Sequence, residues 1–181
     1  MLQHLDLDTA RDRAGLDREL ERLVSEGALA ASDVQHVDAD GISWFLTTEL
    51  AQRVRASGAA YRREFPYIAR EDPSFFDLQV QADDAEDRVL VRGIIDGVLE
   101  SPQAAEVIDF KTDRIDAGEV VERALHYDGQ MALYARALER LLRKPVAAAH
   151  LVFLAPRLIH RIESPAVDRF TETSDASAQR V

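Results

Sequence analysis

Apolar residues in the first third of the chain recur every three to four positions, the spacing of amphipathic helices. The first predicted helix closes at Gly27 and carries Leu16, Leu20, Leu23 and Val24. A short helix is predicted from a cap at Ser32-Asp33 through Val37. A longer helix is predicted from near Asp40 to Gly58. Its inward residues are Ile42, Phe45, Leu46, Leu50 and Val54.

The pattern changes after residue 60 to short apolar and aromatic runs, which are typical of strands. Residues 60–68 contain a proline, which cannot donate a hydrogen bond to a neighbouring strand, so they predict an edge strand. Residues 88–99 and 106–111 predict a hairpin across a turn-rich six-residue gap. A helix over residues 119–143 is predicted to stop at Pro145, before a buried strand over residues 146–154. The order of these elements predicts an α/β protein.

Length and composition predict one domain and exclude several kinds of site. With 181 residues and 46% apolar content, the chain can bury one core. We expect a domain over residues 1–170, with a helical part at 1–58, a sheet core at 60–160 and a frayed tail at 171–181. Cysteine is absent, which excludes disulfides, cysteine zinc sites and an iron–sulfur cluster in this chain. No signal peptide or membrane span is found, so we expect a cytoplasmic protein.

Charge argues against a free-standing nucleic-acid binder. The formal net charge is -11, whereas phosphate contacts need a basic surface. Arg136, Arg140 and Arg143 recur at helical spacing, which favours a solvated helix face over a DNA-binding stripe.

Lysine is rare in this chain, because 20 of the 22 basic side chains are arginine. The two lysines are Lys111 and Lys144. Lys111 lies two residues after Asp109, in Val-Ile-Asp-Phe-Lys-Thr-Asp at 107–113. An ammonium is a compact point charge and a guanidinium is a planar fork. Two interpretations stay open here: Lys111 performs a task that arginine cannot, or it is an ordinary lysine at the end of a strand.

The hairpin count brings two carboxylates together. If residues 100–105 form the loop, Leu99 faces Glu106, and Asp96 then lies opposite Asp109. Their Cβ atoms would be about 4.5 to 5.5 Å apart, where like charges need neutralisation. A one-residue slip in register would separate them. The alternative, that both aspartates only take part in ordinary turns, stays open here.

Strand alternation adds the lysine to this pair. Lys111 falls on the face of Asp109, while Ile108 and Phe110 point to the other side. Mg²⁺ or Mn²⁺ favours such oxygen clusters and completes its shell with water and phosphate oxygens. The metal would polarise a phosphoryl oxygen and activate water, and Lys111 would orient that water or stabilise the developing charge. This chemistry predicts phosphodiester hydrolysis.

The helix that follows contributes polar residues on an apolar stripe. Tyr127, Gln130 and Tyr134 lie at i, i+3 and i+7, in line with Leu138 and Leu141. Two interpretations of Gln130 stay open: a hydrogen bond within the core, or contact with a nucleic-acid strand beside the metal.

Glu64, in Arg-Glu-Phe-Pro at residues 63–66, also has two open interpretations. It either braces the site as a further carboxylate or forms a salt bridge on the edge strand.

These residues form four ordered motifs that resemble a known family. They are Arg-Glu-Phe-Pro at 63–66, Gly-Ile-Ile-Asp at 93–96, Ile-Asp-Phe-Lys-Thr-Asp at 108–113, and Tyr-Asp-Gly-Gln at 127–130 running on to Tyr134. Together they resemble the RecB-like branch of the PD-(D/E)XK nucleases. The chain is most similar to the C-terminal nuclease domain of AddA-type helicase–nuclease subunits.

The resemblance implies a restriction-endonuclease-like core, with a central mixed sheet flanked by helices and an N-terminal helical part. It implies Asp96, Asp109 and the carbonyl of Phe110 as ligands of Mg²⁺ or Mn²⁺, and Lys111 as the catalytic lysine. Gln130 and Tyr134 match the family's Q-x-x-x-Y motif, which places them on the substrate side with Tyr127.

The resemblance also implies partners. In this family the domain follows a helicase, usually beside an AddB-type partner, and cuts DNA during double-strand break repair and recombination. We therefore expect a helicase region in cis, DNA as substrate and a nucleoid-associated bacterial protein. A tethered motor would supply DNA despite the acidic charge, because effective concentration replaces electrostatic steering.

One departure from the family concerns the metal. The family has an upstream Gly-Thr-x-x-His whose histidine ligates the ion, and this chain lacks that motif. Residues 1–5 resemble those just after that histidine, so the chain is expected to begin about two residues too late. His4 is either a substitute ligand or a bystander.

Two other functions compete with a nuclease. One is a catalytically impaired interaction module that keeps the fold and binds metal too weakly to cut. The other is a phosphohydrolase of small nucleotides, which would need a glycine-rich phosphate cradle or a closed basic pocket. Neither feature is found in the sequence.

Overall fold

Five strands form one mixed sheet in a computed structural model that describes residues 4–76 and 88–165. The strands are β1 (Tyr61–Glu71), β2 (Val89–Glu100), β3 (Ala105–Lys111), β4 (Val146–Phe153) and β5 (Leu158–Glu163). They lie in chain order across the sheet. Only β3 and β4 are parallel, and the other neighbours are antiparallel. The predicted fold class, a mixed sheet flanked by helices, is confirmed.

Helices cover the sheet on both sides. The α-helices are α1 (Arg13–Ser25), α2 (Ala39–Thr47), α3 (Glu49–Ser57), α4 (Val120–Leu125) and α5 (Asp128–Leu142). Short 3₁₀ helices are Ala31–His36, Gly58–Ala60, Pro73–Phe76 and Ala117–Glu119. No helix within 4–76 or 88–165 combines the length and the apolar character of a membrane span.

Strand alternation divides the core into two clusters. Val107 and Leu151 belong to the cluster that includes residues of α4 and α5. Their neighbours Ile108 and Val152 belong to the cluster with α1, α2 and α3. All four side chains are fully buried. The central parallel pair is therefore covered on both faces, as parallel strands require.

The hairpin has the register that was counted from the sequence. Leu99 pairs with Glu106, and the last backbone pair is Gly97 with Ile108. Glu100 also pairs with Ala105, so the connecting loop is four residues rather than six. The shorter loop leaves the register unchanged.

The predicted long helix from Asp40 to Gly58 is wrong as one element. It is broken at Thr48, whose backbone is extended, with φ -72° and ψ 157°. The hydroxyl of Thr48 accepts a hydrogen bond of 3.2 Å from the N–H of Ala51 and so caps α3. The predicted inward residues are nonetheless buried, because α2 and α3 each turn their apolar stripe to the sheet.

The predicted helix over residues 119–143 is also divided. Its first turn is 3₁₀, and α4 and α5 are separated at His126 and Tyr127. Leu138 is fully buried, but Leu141 is 52% exposed, so the predicted apolar stripe ends one turn early. The predicted cap at Ser32-Asp33 is likewise wrong, since the segment is a 3₁₀ helix without a side-chain cap.

Two outer strands differ from the sequence-based expectation. β1 lies at the edge of the sheet as predicted, but it continues to Glu71. The fully buried carboxylate of Glu71 pairs with Arg136 at 3.2 Å and Arg140 at 2.5 Å. These arginines therefore do not form a purely solvated face. β5 was not predicted, and the predicted tail at 171–181 lies outside the described residues.

Thr48→Ala removes the cap of α3 and tests the break between α2 and α3. We expect the free energy of unfolding to fall by about 1 kcal/mol, measured by urea denaturation. Thr47→Ala is the matched control, because Thr47 is exposed and its hydroxyl donates to the carbonyl of Trp44 within α2. Equal losses in both variants would contradict a specific capping role.

Candidate active site

The β2–β3 ladder ends at the two predicted carboxylates. Beyond the pair of Gly97 with Ile108, a side chain replaces the backbone as the hydrogen-bond partner. The N–H of Phe110 donates to Oδ2 of Asp96 at 2.8 Å. This bond ties Asp96 to β3 across the peptide unit that follows Asp109. The two carboxylates thus converge at one end of the hairpin.

Asp109 is a buried carboxylate held beside an ammonium. It is 3% exposed, and its Oδ2 lies 2.6 Å from Nζ of Lys111. Burial raises the pKa of Asp109, the Lys111 ammonium opposes this rise, and the nearby charge of Asp96 adds to it. The Lys111 contact is close enough for an ion pair but lacks hydrogen-bond geometry, so Oδ2 of Asp109 accepts no hydrogen bond.

Lys111 is fixed on three sides. Besides Asp109, its Nζ donates to Oε1 of Gln130 at 2.9 Å. The same nitrogen lies 3.7 Å from the ring centroid of Tyr127, a cation–π distance. The side chain is 11% exposed. The ammonium therefore has a defined position beside the carboxylates.

Gln130 links the lysine to a hydrogen-bonded chain. Its Nε2 donates to the hydroxyl of Tyr134 at 2.7 Å, and this hydroxyl donates to the carbonyl of Ile94 at 3.3 Å. Burial, followed by the charge of Asp109, raises the pKa of Tyr134 to about 12. The structure shows the first interpretation of Gln130, hydrogen bonds within the protein, and contact with a nucleic-acid strand stays a prediction.

The hydroxyl of Tyr127 is held by residues that the sequence analysis did not assign. It donates to Oδ2 of Asp113 at 2.9 Å. Arg123 contacts the same carboxylate, with Nε 2.7 Å and Nη2 2.6 Å from Oδ1. Asp113 therefore orients the ring that covers Lys111. The available signal was the i, i+4 spacing of Arg123 and Tyr127 within the predicted helix over residues 119–143.

Glu64 is on β1 and Asp96 is on β2. By register they lie opposite each other, at the one position where the β1–β2 ladder has no backbone pair. The φ of 48° at Glu64 is in the left-handed region, which costs a non-glycine residue about 1–3 kcal/mol. Burial raises the pKa of the nearby Tyr61 to about 12, and the charges of Asp96 and Glu64 add to this. Within 4–76 and 88–165 Glu64 has no salt bridge, so the predicted edge-strand ion pair is not found.

His4 is exposed, and its carbonyl accepts a hydrogen bond of 3.0 Å from Nη2 of Arg22. In the described part of the chain, no group of three or more His, Asp or Glu side chains is arranged to hold a metal ion.

The oxygens at the end of the hairpin nevertheless fit a hard cation. Oδ2 of Asp109 is buried and accepts no hydrogen bond, and it lies 2.6 Å from the Lys111 ammonium. Asp96 has one oxygen bonded to Phe110, which leaves Oδ1 available. Mg²⁺ needs only one or two protein carboxylates, because water and substrate oxygens complete its shell. The residues thus fit a divalent cation that keeps several waters.

The fold and the site together define a class of protein. Its members have a mixed α/β sheet, with two carboxylates and a lysine at the end of a central hairpin. The sequence model of the PD-(D/E)XK nuclease superfamily matches residues 1–180, so the chain belongs to this superfamily. Nucleases of this superfamily generally use divalent metal ions.

Similar proteins are named as the A-type subunits of ATP-dependent helicase/nucleases. The one from Geobacillus thermodenitrificans is 33% identical over 166 residues, which are 83% of this chain and 13% of that protein. The one from Lacticaseibacillus casei is 33% identical over 157 residues, with 85% and 12% covered. The one from Levilactobacillus brevis is 29% identical over 181 residues, with 95% and 14% covered. The chain thus spans 12 to 14% of the length of these relatives.

The raised pKa values of two phenols, one buried and one partly buried, give a prediction for alkaline solution. Tyr61 and Tyr134 keep their protons to about pH 12 when folded, whereas unfolded tyrosine ionises near pH 10. Unfolding therefore releases protons in this window, and the free energy of unfolding falls as pH rises through it. Tyr134→Phe should make that fall less steep, as measured by denaturation at several pH values. An unchanged slope would contradict the burial of this phenol.

Proposed function

We propose that this chain is a metal-dependent nuclease domain that hydrolyses phosphodiester bonds in DNA. The observation that carries the proposal is the convergence of Asp96, Asp109 and Lys111 at the end of the β2–β3 hairpin. Membership of the PD-(D/E)XK nuclease superfamily supports the same reaction. Residues 1–170 would form this single domain.

Asp96, Asp109 and the carbonyl of Phe110 would hold Mg²⁺ or Mn²⁺. When bound, the ion supplies a Lewis acid for a phosphoryl oxygen and lowers the pKa of a coordinated water. The carboxylates bring two negative charges to a site where Lys111 supplies one positive charge. A divalent cation is therefore compatible with the local charge.

Lys111 would stabilise negative charge on the phosphoryl group or orient the attacking water. Its ammonium is positioned before substrate arrives, because Gln130 and the Tyr127 ring already contact it. A preorganised charge of this kind needs no rearrangement in the transition state. The hydroxyl oxygen of Tyr134 accepts from Nε2 of Gln130, so the amide oxygen of Gln130 stays turned to Lys111. Glu64 would serve as an accessory carboxylate beside Asp96.

DNA would be delivered by the rest of a longer protein. The relatives are named helicase/nuclease subunits and are much longer than this chain. The net charge of -11 offers little attraction for DNA. A helicase region in cis would raise the local DNA concentration without such attraction. We extend the proposal to a partner of the AddB type and to double-strand break repair.

A catalytically impaired module is the second candidate. It is favoured by the exposure of His4 and by the absence, among described residues, of a three-ligand cluster of acidic and histidine side chains. Calorimetry with Mn²⁺ distinguishes the two functions. A nuclease is expected to give saturable heat that Asp109→Asn removes. A folded protein that gives no heat at millimolar Mn²⁺ would support the impaired module.

Lys111→Ala should reduce cleavage of linear DNA by about 10²- to 10³-fold, because it removes a preorganised charge. Lys144→Ala is the matched control, since Lys144 is the other lysine and pairs with Glu100 at the opposite end of the hairpin, at 2.5 Å. Cleavage is measured with Mg²⁺ or Mn²⁺, and EDTA should abolish it.

Lys111→Arg separates charge from geometry, because it retains a cation but not a compact ammonium. Circular dichroism establishes that each variant is folded, which matters because Lys111→Ala leaves the buried Asp109 unpaired. Wild-type rates in a folded Lys111→Ala protein would overturn the proposed mechanism.

A further inference from the structure

A cleft of about 690 Å³ opens just beyond the end of β3, on the face of the sheet that α2 covers and opposite the face on which α5 holds the Lys111 side chain. It lies where the two parallel strands, β3 and β4, reach their carboxyl ends. In open α/β sheets, ligands bind in the crevice outside the carboxyl ends of the strands. The 3₁₀ helix Ala31–His36 and the start of α2 form its other side.

The cleft adjoins the lysine directly along the chain. Its lining begins at Thr112, the residue after Lys111, and includes Arg114. The opposite wall is joined to the same strand end, because the N–H of Leu154 donates to the carbonyl of Lys111 at 3.0 Å. Three residues span at most about 11 Å, so the backbone of Arg114 lies within that distance of Lys111. A stacked strand rises about 3.4 Å per nucleotide, so a few nucleotides cover this separation.

The chemistry of the lining combines an apolar floor with exposed hydrogen-bond donors. Ile42 and Leu154 are 2% and 4% exposed and form the floor. Gln35, Thr112 and Arg114 are exposed at the rim. Such a surface suits a nucleotide, because the sugar and base can contact apolar groups while phosphate oxygens accept hydrogen bonds.

Arg114 differs from several other arginines of the chain in lacking an acidic partner within residues 4–76 and 88–165. Arg13 and Arg157 contact Asp40, and Arg123 contacts Asp113. Arg114 has no carboxylate partner among the described residues, in a chain with 33 acidic residues. Its guanidinium is therefore available to an anion from outside the chain.

One acidic residue lies in the same cleft, but it is already engaged. Oδ1 of Asp38 accepts a hydrogen bond of 2.8 Å from the N–H of Gly41 and caps α2. A carboxylate at a helix N-terminus is partly offset by the positive end of the helix dipole. Asp38 therefore opposes an incoming phosphate less than a free carboxylate would.

We propose that this cleft binds the DNA strand a few nucleotides from the scissile phosphodiester, with Arg114 and Thr112 contacting a backbone phosphate. The inference rests on the proposed nuclease function and names the path of the substrate at that site. It gives Arg114 a positioning role and leaves the chemical step to the residues at the hairpin end.

The test measures binding and cleavage of a short single-stranded oligonucleotide by Arg114→Ala. Arg18→Ala is the matched control, because Arg18 is exposed on α1 and has no ion pair in the part of the chain described. Binding is followed by fluorescence anisotropy in EDTA at several salt concentrations. Loss of one phosphate contact should lower the slope of log affinity against log salt by about 0.7, and Arg18→Ala should leave it unchanged.

Cleavage by the same proteins separates this inference from the proposed function. Arg114→Ala should raise KM several-fold with kcat unchanged, and Thr112→Val should raise it less. Unchanged KM and salt slope in Arg114→Ala, in a protein whose wild type cuts DNA, would overturn the strand path alone. A wild type that cuts no DNA with either metal would instead overturn the proposed function.

The oligonucleotide effect must also be distinguished from binding of a small phosphate. Inorganic phosphate and a mononucleotide are added as competitors. Weak competition by both, with tight binding of the oligonucleotide, supports a strand. Full competition by millimolar phosphate alone would contradict it and assign the cleft to a free anion.

Discussion

The hydrogen bond from the N–H of Phe110 to the carboxylate of Asp96 is the contact on which the site depends. It forms where the β2–β3 ladder stops, so a side chain satisfies a backbone donor that no neighbouring strand reaches. Burying that donor unpaired would cost about 1–3 kcal/mol. The same bond fixes Asp96 beside Asp109. One hydrogen bond therefore pairs the backbone donor of Phe110 and brings the two carboxylates together.

This convergence places two like charges close together, and α5 holds the lysine that offsets them. Asp109 is buried near a second carboxylate, and both burial and the like charge raise its pKa. Lys111 provides the opposite charge, and α5 holds Lys111 through Gln130 and the Tyr127 ring. Removing one member of a buried ion pair costs about 3–5 kcal/mol. The folded protein therefore needs both members of the pair, because either one alone would be an uncompensated buried charge.

Predictions from periodicity succeeded where one physical rule acts locally. The hairpin register followed from counting residues, because side chains alternate strictly along a strand. Helix boundaries were less accurate, because an apolar stripe continues through a break. Thr48 interrupts α2 and α3 without changing which residues are buried. β5 was missed, since its burial depends on pairing with β4 rather than on its own pattern.

The sequence by itself determined the α/β class, the hairpin register and the nearness of Asp96 to Asp109, since these depend on residue spacing along one or two neighbouring strands, although the ladder of backbone pairs stops one position short of the two aspartates. The tertiary structure decided what surrounds them. Asp113 reaches the Tyr127 hydroxyl, and Arg114 lines a cleft shared with α2, only after helices pack on both faces of the sheet. Such contacts join residues that are distant along the chain, and no local periodicity encodes the distance between them.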